Sequence, residues 1–476
     1  MKILFTTSEA APFAKTGGLA DVAGSLPAVL AKAGHDVRVV MPLYGSIAAE
    51  WREKMKFELC DGVQLAWRRP YIGIFSLEHE GVIFYFIDNE YYFKRAEIYG
   101  HFDDGERFAY FSRAVIELPR LMNFAPDILH ANDWQTALVP IYLLEERYRI
   151  TQLSKTKSVF TIHNIEYQGR YGKELMSDLF GLSMSYCNED MMAFYDDVNL
   201  LKGAINAADY VTTVSPTYAQ ELKYPFYGKG LDGVIRANDF KLKGILNGID
   251  VGLYNPGKDA GIAKTFTAGR PAGKKECKVA LQETLGLRVN PDVPVIAIVS
   301  RLVKHKGIDL VAAGLHRMMD MDVQMVILGT GDWNYEEMFR QAASQYPGRF
   351  SAQLMYSAQL SAAIYAGADM FLMPSTSEPC GLSQMIAMRY GTVPVVRETG
   401  GLRDSVTPFS AETGEGTGFA FADINLEDLM WVMGQAVELY HGDKKLWSKL
   451  VKNAMQADFS WDKSAGEYLA MYEQLI

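Results

Sequence analysis

The 476 residues are too many for one hydrophobic core; at about 100–200 residues per domain, the chain should fold as two or three domains. Hydrophobic residues make up 49% and charged residues 22%, the balance of an ordinary globular protein rather than a disordered or fibrous one. The formal net charge of −10 excludes a general nucleic-acid or anionic-membrane surface, while leaving room for a small basic pocket.

Residues 1–9, Met-Lys-Ile-Leu-Phe-Thr-Thr-Ser-Glu, turn polar too soon for the apolar core of a signal peptide. No apolar run is long enough to span a bilayer. Cys60, Cys187, Cys277 and Cys380 stand far apart without metal-ligand spacing, so reduced thiols in a cytoplasmic protein are expected. Neither nucleic acid nor membrane is expected as a partner.

Short β-rich runs alternate with helical patterns along the chain. The runs are 3–6, 36–41, 82–87, 127–130, 158–162, 210–214 and 242–246, then 293–299, 323–328, 370–373 and 393–396. Most are continuous apolar stretches, the mark of strands buried on both faces of a parallel sheet flanked by helices. The fold class is therefore α/β. Asn247-Gly248-Ile249-Asp250 is a turn signal, and a Gly-, Pro-, Lys- and Ala-rich stretch follows over 255–275. This places a domain boundary, with a first domain over 1–247 and a second over 248–457. Residues 458–476 read as an amphipathic helix able to close either one.

The tetrapeptide Thr-Gly-Gly-Leu occurs twice, at 16–19 and at 399–402, each time where a strand should give way to a helix. Glycines there let backbone N–H groups approach a ligand, and a helix N-terminus favours an anion; glycine is also common in such turns for steric reasons alone. Gly17, Gly18, Gly400 and Gly401 are candidate ligand contacts on this basis.

In open α/β sheets ligands bind outside the carboxyl ends of the strands, so the polar residues after each run matter most. After residue 299 come Arg301 and Lys306, which read as a diphosphate clamp: a planar fork and a compact point charge. Two solvated cations ahead of a helix are the alternative. After residue 373 comes Glu378, either an acceptor for sugar hydroxyls or a favourable acid at a helix start. Cys380 and Gly381 follow it; with no dedicated base in view, Cys380 reads better as a packing residue than as a nucleophile.

In the first half, Asp133 follows the run ending at His130, His163 follows residue 162, and Asn247 follows residue 246. Asp21 opens the helix after the first glycine pair. Capping or a structural hydrogen bond would account for each alone; their shared rim favours function. The aromatic residues Tyr91, Tyr92, Phe93, Tyr99, Phe102, Phe108, Tyr110 and Phe111 read as a loop-covered satellite core, with sugar stacking as the alternative. Asp320-Met321-Asp322 lies at the amino end of a strand, the wrong edge for a catalytic metal, and Gly329-Thr330-Gly331 lacks the third glycine of a dinucleotide site. No metal and no cofactor are expected.

Taken together, Lys15-Thr16-Gly17-Gly18-Leu19-Ala20-Asp21-Val22, Asn132-Asp133-Trp134, Thr161-Ile162-His163-Asn164, Asn247-Gly248-Ile249-Asp250, Ser300-Arg301-Leu302 with Lys306-Gly307, and Glu378-Pro379-Cys380-Gly381-Leu382 resemble bacterial glycogen synthase and plant starch synthase. The order and spacing fit along nearly the whole chain. The resemblance implies two Rossmann-like, doubly wound domains facing across a cleft, the GT-B architecture, with the C-terminal helix returning to the first domain. It implies a retaining, metal-independent glycosyltransferase that moves glucose from ADP-glucose to the non-reducing end of an α-1,4-glucan such as glycogen. By matching positions, Lys15 and Gly18 would lie near the donor phosphates and Asp21 near the donor. Arg301 and Lys306 would hold the departing diphosphate, and Glu378 the glucose hydroxyls. His163 and Asn247 would grip the sugar, Asp133 would stand at the reacting centre, and Tyr356 would stack on the base. His305 stands where family members often carry glutamine, and Thr376-Ser377 where many carry Arg-Phe, which removes a cation from the donor rim.

The expected chemistry is electrostatic stabilisation of the leaving diphosphate by Arg301 and Lys306. The acceptor would approach from the face the diphosphate leaves. Rival readings are a related retaining transferase using UDP-glucose or another acceptor, a nucleotide-sugar epimerase, and a silent glucan-binding protein. A pyridoxal-phosphate phosphorylase lacks a suitable lysine context. Oligomeric state is not readable from the chain.

Overall fold

The computed structural model describes residues 1–476. The chain forms two compact units, Met1–Gly248 with Trp461–Ile476, and Ile249–Ser460.

The first unit contains strands β1 (Lys2–Thr6), β2 (Asp36–Pro42), β3 (Lys56–Gly62), β4 (Tyr71–His79), β5 (Val82–Asp88), β6 (Ile128–Asn132), β7 (Lys157–Ile162), β8 (Arg170–Gly172), β9 (Ala193–Phe194), β10 (Asp197–Asn199), β11 (Tyr210–Thr213) and β12 (Leu242–Gly244). Nine of them make one sheet in the order β12-β11-β7-β6-β1-β2-β5-β4-β3, and β8, β10 and β9 make a small separate sheet. Pairing is parallel from β12 to β5. The central strands are buried on both faces; Ile3, Leu4 and Phe5 are wholly enclosed. The chain leaves β1 toward β2 on one side and returns through β6 on the other, so the loops after β1 and β6 part at a topological switch point.

The sheet's far edge differs from the predicted pattern. Strands β3 and β4 pair antiparallel with each other, and β4 pairs antiparallel with β5. Neither was among the predicted runs, because β3 is half-exposed and mixes Lys56, Glu58 and Asp61 with apolar residues. The run at 127–130 is also displaced, with β6 extending to Asn132. Asn247 and Gly248 are not themselves a turn; the turn follows at Asp250, whose Oδ1 accepts the N–H groups of Gly252 and Leu253 at 2.8 and 2.9 Å.

The helix Trp461–Leu475 belongs to this unit and packs on the helix Gly18–Lys32. Its Tyr472 hydroxyl lies 2.6 Å from His130 Nδ1, and His130 Nε2 lies 2.6 Å from Thr161 Oγ1. Ser464 donates to the Leu246 carbonyl, and Lys243 pairs with Glu467 at 3.2 Å. His130 is buried and its pKa is depressed to about 3, so it packs as a neutral ring.

The second unit contains β13 (Val295–Val299), β14 (Gln324–Leu328), β15 (Phe350–Gln353), β16 (Met370–Met373), β17 (Val393–Arg397) and β18 (Phe419–Phe421). All are parallel, in the order β15-β14-β13-β16-β17-β18. This is a doubly wound sheet with its switch point between β13 and β16. Of the edge strands missed in the sequence, β15 interrupts its apolar residues with Ser351 and Gln353, and β18 is only three residues long. No helix of the protein is long and apolar enough to cross a membrane.

Candidate functional site

At the second unit's switch point, the loops after β13 and β16 carry Lys306 and Glu378. Lys306 ends a short 3₁₀ turn, Lys304–Lys306, and Gly307 follows with φ +72°. A Cβ on Gly307 would stand 2.0 Å from the Pro374 carbonyl oxygen, so only glycine lets the two loops touch. The N–H of Thr376 then donates to the His305 carbonyl at 2.9 Å. Held this way, Lys306 Nζ donates to Glu378 Oε2 at 2.6 Å and Oε1 at 2.9 Å. Ser375 Oγ adds a third hydrogen bond to the carboxylate at 3.0 Å. Glu378 is only 6% exposed and lies well ahead of the next helix, Ser383–Arg389, so it does not cap that helix.

The second glycine pair meets the steric demand that the sequence left as an alternative. Gly400 has φ +44°, and a Cβ there would lie 2.0 Å from the Glu378 carbonyl oxygen; a Cβ on Gly401 would lie 2.0 Å from the Cys380 carbonyl oxygen. The Gly401 N–H donates to the Glu378 carbonyl at 3.1 Å. The pair seats the Glu378 loop, and Gly401 has no N–H left to offer a ligand. Cys380 is buried in this contact, and Gly381 makes the left-handed turn, φ +68°, toward the helix. Gly329 and Gly331 likewise pack against the carbonyls of Ser300 and Leu302. The whole rim is backbone stacked on backbone.

Arg301 lies on the loop after β13, exposed, with its guanidinium donating to no protein acceptor. Tyr356 follows β15 at the same edge and is 85% exposed. Neither is tied to the Lys306–Glu378 pair by a hydrogen bond.

In the first unit, the loops after β1 and β6 carry the remaining candidates. Lys15 Nζ pairs with Asp21 Oδ1 at 2.6 Å, so Asp21 holds the lysine rather than capping the helix Gly18–Lys32. Burial raises the Asp21 pKa, with Lys15 opposing the rise. Gly17 is extended, and a Cβ there would meet nothing closer than Glu9 Oε1 at 3.9 Å. Gly18 begins the helix and is exposed. Sequence reasoning missed Glu9, which is buried below this loop; its Oε2 accepts from Thr16 N–H at 2.6 Å and Oγ1 at 2.7 Å. Burial pushes its pKa up to about 6. The signal was available: a carboxylate three residues past β1, on the ligand edge.

Asp133 leaves β6 with φ +58° and ψ 178°, a region that glycine occupies and other residues rarely do. Its Oδ1 accepts the N–H groups of His163 at 2.8 Å and Asn164 at 3.4 Å, while its own N–H donates to the Thr161 carbonyl at 3.0 Å. Burial raises its pKa to about 7 against those hydrogen bonds. His163 Nε2 lies 2.9 Å from Asn132 Oδ1, and Asn132 Nδ2 donates to the Thr6 carbonyl at 3.0 Å. That network puts the ring proton on Nε2 and leaves Nδ1 as an acceptor. Burial depresses the His163 pKa to about 3, so the ring is neutral. Asn247 is buried, and its Oδ1 has no hydrogen-bond partner in the protein. In a native structure such an atom calls for an explanation.

In the aromatic stretch 91–111, Tyr99 is half-buried. Tyr92, Phe93, Phe108, Tyr110 and Phe111 are buried, as the satellite-core reading expects, whereas Tyr91 and Phe102 are exposed.

Comparison with known proteins agrees along the full length. A family model described as starch synthase catalytic domain matches residues 2–237, and one described as glycosyl transferases group 1 matches residues 286–456. The glycogen synthase of Anoxybacillus flavithermus is 50% identical, over all of this chain and 98% of that protein. The glycogen synthase of Caldicellulosiruptor saccharolyticus is also 50% identical, over the whole of both chains. The solved catalytic domain of starch synthase IV from Arabidopsis thaliana, bound to ADP and acarbose, superposes with a TM-score of 0.93 at 35% identity, covering 100% of this chain and 99% of that one.

Proposed function

This chain belongs to the family of bacterial glycogen synthases and plant starch synthases, and from that membership we propose that it transfers glucose from ADP-glucose to the non-reducing end of an α-1,4-glucan with retention of configuration. It is a glycosyltransferase of glycogen or starch synthesis. The finer assignments are the donor base, the acceptor linkage and the role of each residue. The free cysteines fit a cytoplasmic setting.

The observation that carries the reading is the ammonium–carboxylate pair of Lys306 and Glu378 at the second unit's switch point, with the unpaired Arg301 on the same loop as Lys306. Lys306 and Arg301 take the donor's diphosphate and stabilise the charge that grows on it as the glycosidic bond breaks. Glu378 accepts from glucose hydroxyls, and Tyr356 offers its exposed ring to adenine. Lys15 and Gly18 also serve the phosphates, with Asp21 holding Lys15 in place. His163, through its Nδ1 lone pair, and Asn247, through its free Oδ1, accept from sugar hydroxyls. Asp133 lies beside the reacting carbon.

A double displacement needs a free carboxylate on the face opposite the leaving group. Both oxygens of Glu378 are engaged by Lys306, and one also by Ser375, which favours front-face return over attack by Glu378. In that course the departing phosphate takes the acceptor's proton. The test is release of ADP from ADP-glucose with and without glycogen, against UDP-glucose. Rapid glycogen-dependent release from ADP-glucose alone is expected. Equal rates with UDP-glucose would remove the adenine assignment, and a trapped glucosyl ester on Asp133 would remove the front-face course.

A further inference from the structure

Phe102 is 99% exposed, the barest large apolar side chain in the protein. It is not on a loose tip. Arg95 donates to both carboxylate oxygens of the next residue, Asp103, at 2.6 Å each. Asp104 accepts the N–H groups of Gly100 and His101 at 2.8 and 3.2 Å, and the buried Arg107 donates to the Ile98 carbonyl at 3.0 Å.

The same brace reaches the first unit's rim. The Tyr99 hydroxyl lies 2.7 Å from Ser8 Oγ, next to Glu9. Tyr99 also packs on Phe108 at 6.0 Å between ring centroids, and Phe108 meets Trp134, the neighbour of Asp133, edge-on at 5.3 Å. The loop leaves the carboxyl end of β5, the edge that also carries Asp133, His163 and Gly17.

Keeping a phenyl ring in water on an ordered loop forgoes about 1.5–3 kcal/mol of burial. A flat apolar ring beside polar groups matches a pyranose, which has apolar C–H faces and hydroxyls around its edge. We propose that Phe102 is an acceptor platform, stacking on a glucose unit of the α-glucan chain away from its reacting end. This rests on the transferase reading above and deepens it: Phe102 would set affinity for the acceptor without touching the donor.

The test compares wild type, F102A and F102W. Three quantities are read: KM for maltoheptaose, KM for ADP-glucose, and Kd for maltoheptaose without donor by calorimetry. F102A should raise the maltoheptaose KM and Kd about five- to tenfold, consistent with loss of a partly buried ring. Its ADP-glucose KM and Tm should not move, and F102W should restore acceptor binding. Unchanged maltoheptaose KM and Kd in F102A overturn the proposal. A matching rise in ADP-glucose KM, or a lowered Tm, also overturns it, by making Phe102 a brace of the loop. If wild type released no ADP from ADP-glucose, the transferase reading would fall instead, and the Kd comparison would still decide for Phe102.

Discussion

Lys306 grips both carboxylate oxygens of Glu378, at 2.6 and 2.9 Å, across 72 residues of chain. The two side chains are 19% and 8% exposed, so the pair is largely shielded from water. Each group therefore occupies the other before any ligand arrives. If a diphosphate drew Lys306 away it would loosen Glu378 at the same moment, coupling phosphate binding to the carboxylate's availability for sugar hydroxyls. K306M leaves a buried carboxylate without its cation and should cost about 2–4 kcal/mol of stability. Adding E378Q removes the orphaned charge, so the double variant should lose less than the two single changes summed. Urea unfolding of the four proteins reads this cycle, and strictly additive losses would refute the coupling. Glycogen-dependent ADP release should stay low in all three variants.

Arg301 offers the opposite contrast. It is exposed and donates to no protein acceptor, so R301A should leave Tm within a degree or so of wild type, as for surface changes worth about ±0.5 kcal/mol. Loss of a phosphate contact made in the transition state should nevertheless lower the rate of ADP release by about 2–5 kcal/mol of transition-state stabilisation. A near-normal rate in R301A would leave Lys306 as the sole clamp.

The two Thr-Gly-Gly-Leu copies look alike in sequence but differ in what surrounds them. G401A would press a Cβ to 2.0 Å from the Cys380 carbonyl and should unseat the Glu378 loop, visible as a lowered Tm and lost activity together. G17A meets nothing closer than 3.9 Å, in an extended conformation any residue adopts. It should keep the wild-type Tm and lose activity only through a bound ligand. A G17A enzyme with unaltered KM for ADP-glucose would return Gly17 to a plain turn residue.

That contrast marks what the sequence can and cannot carry. The parallel strands were legible because continuous runs such as Val295–Val299 have no polar face to show. The β3–β4 hairpin was hidden because it is half-exposed and keeps a mixed pattern. Candidate residues at strand ends, such as Asp133 and His163, could be picked out by position. The Lys306–Glu378 pairing could not, since it depends on Gly307 letting one loop touch another. Nor could the positive φ of Asp133 or the steric duty of Gly400 and Gly401, which exist only once distant backbones meet.

The raised carboxyl pKa values set the sign of a pH effect. Asp133, with its pKa raised from 3.8 to about 7, and Glu9, raised from 4.5 to about 6, hold protons in the folded protein that the unfolded chain has released. The folded state thus binds more protons in that window, and their contribution to stability falls as pH rises from about 4 to about 7. His163 and His130, both depressed to about 3, act in the opposite sense, costing stability as pH falls below 6.5. D133N should therefore remove Asp133's share, so that stability rises more, or falls less, from pH 5 to pH 7.5 than in wild type. Urea midpoints at pH 5 and pH 7.5 measure it, and the same slope in D133N and wild type would mean that Asp133 ionises freely.

Asn247 separates binding from folding most directly. Its Oδ1 is buried without a protein partner, so the folded state already bears the desolvation of that oxygen. Removing a buried polar atom that makes no hydrogen bond should be nearly neutral or slightly stabilising, because no protein partner is orphaned. The cavity left by N247A opposes this, and N247S, which keeps a hydroxyl in less volume, controls for it. If a glucose hydroxyl donates to Oδ1 in the reacting complex, N247A should lower kcat/KM about tenfold or more while Tm holds, a loss of about 1.5–3 kcal/mol. Binding of ADP alone should be untouched, because the interaction is with the sugar. A variant that loses ADP affinity as much as transfer rate would place Asn247 in support of the loop rather than at the glucose.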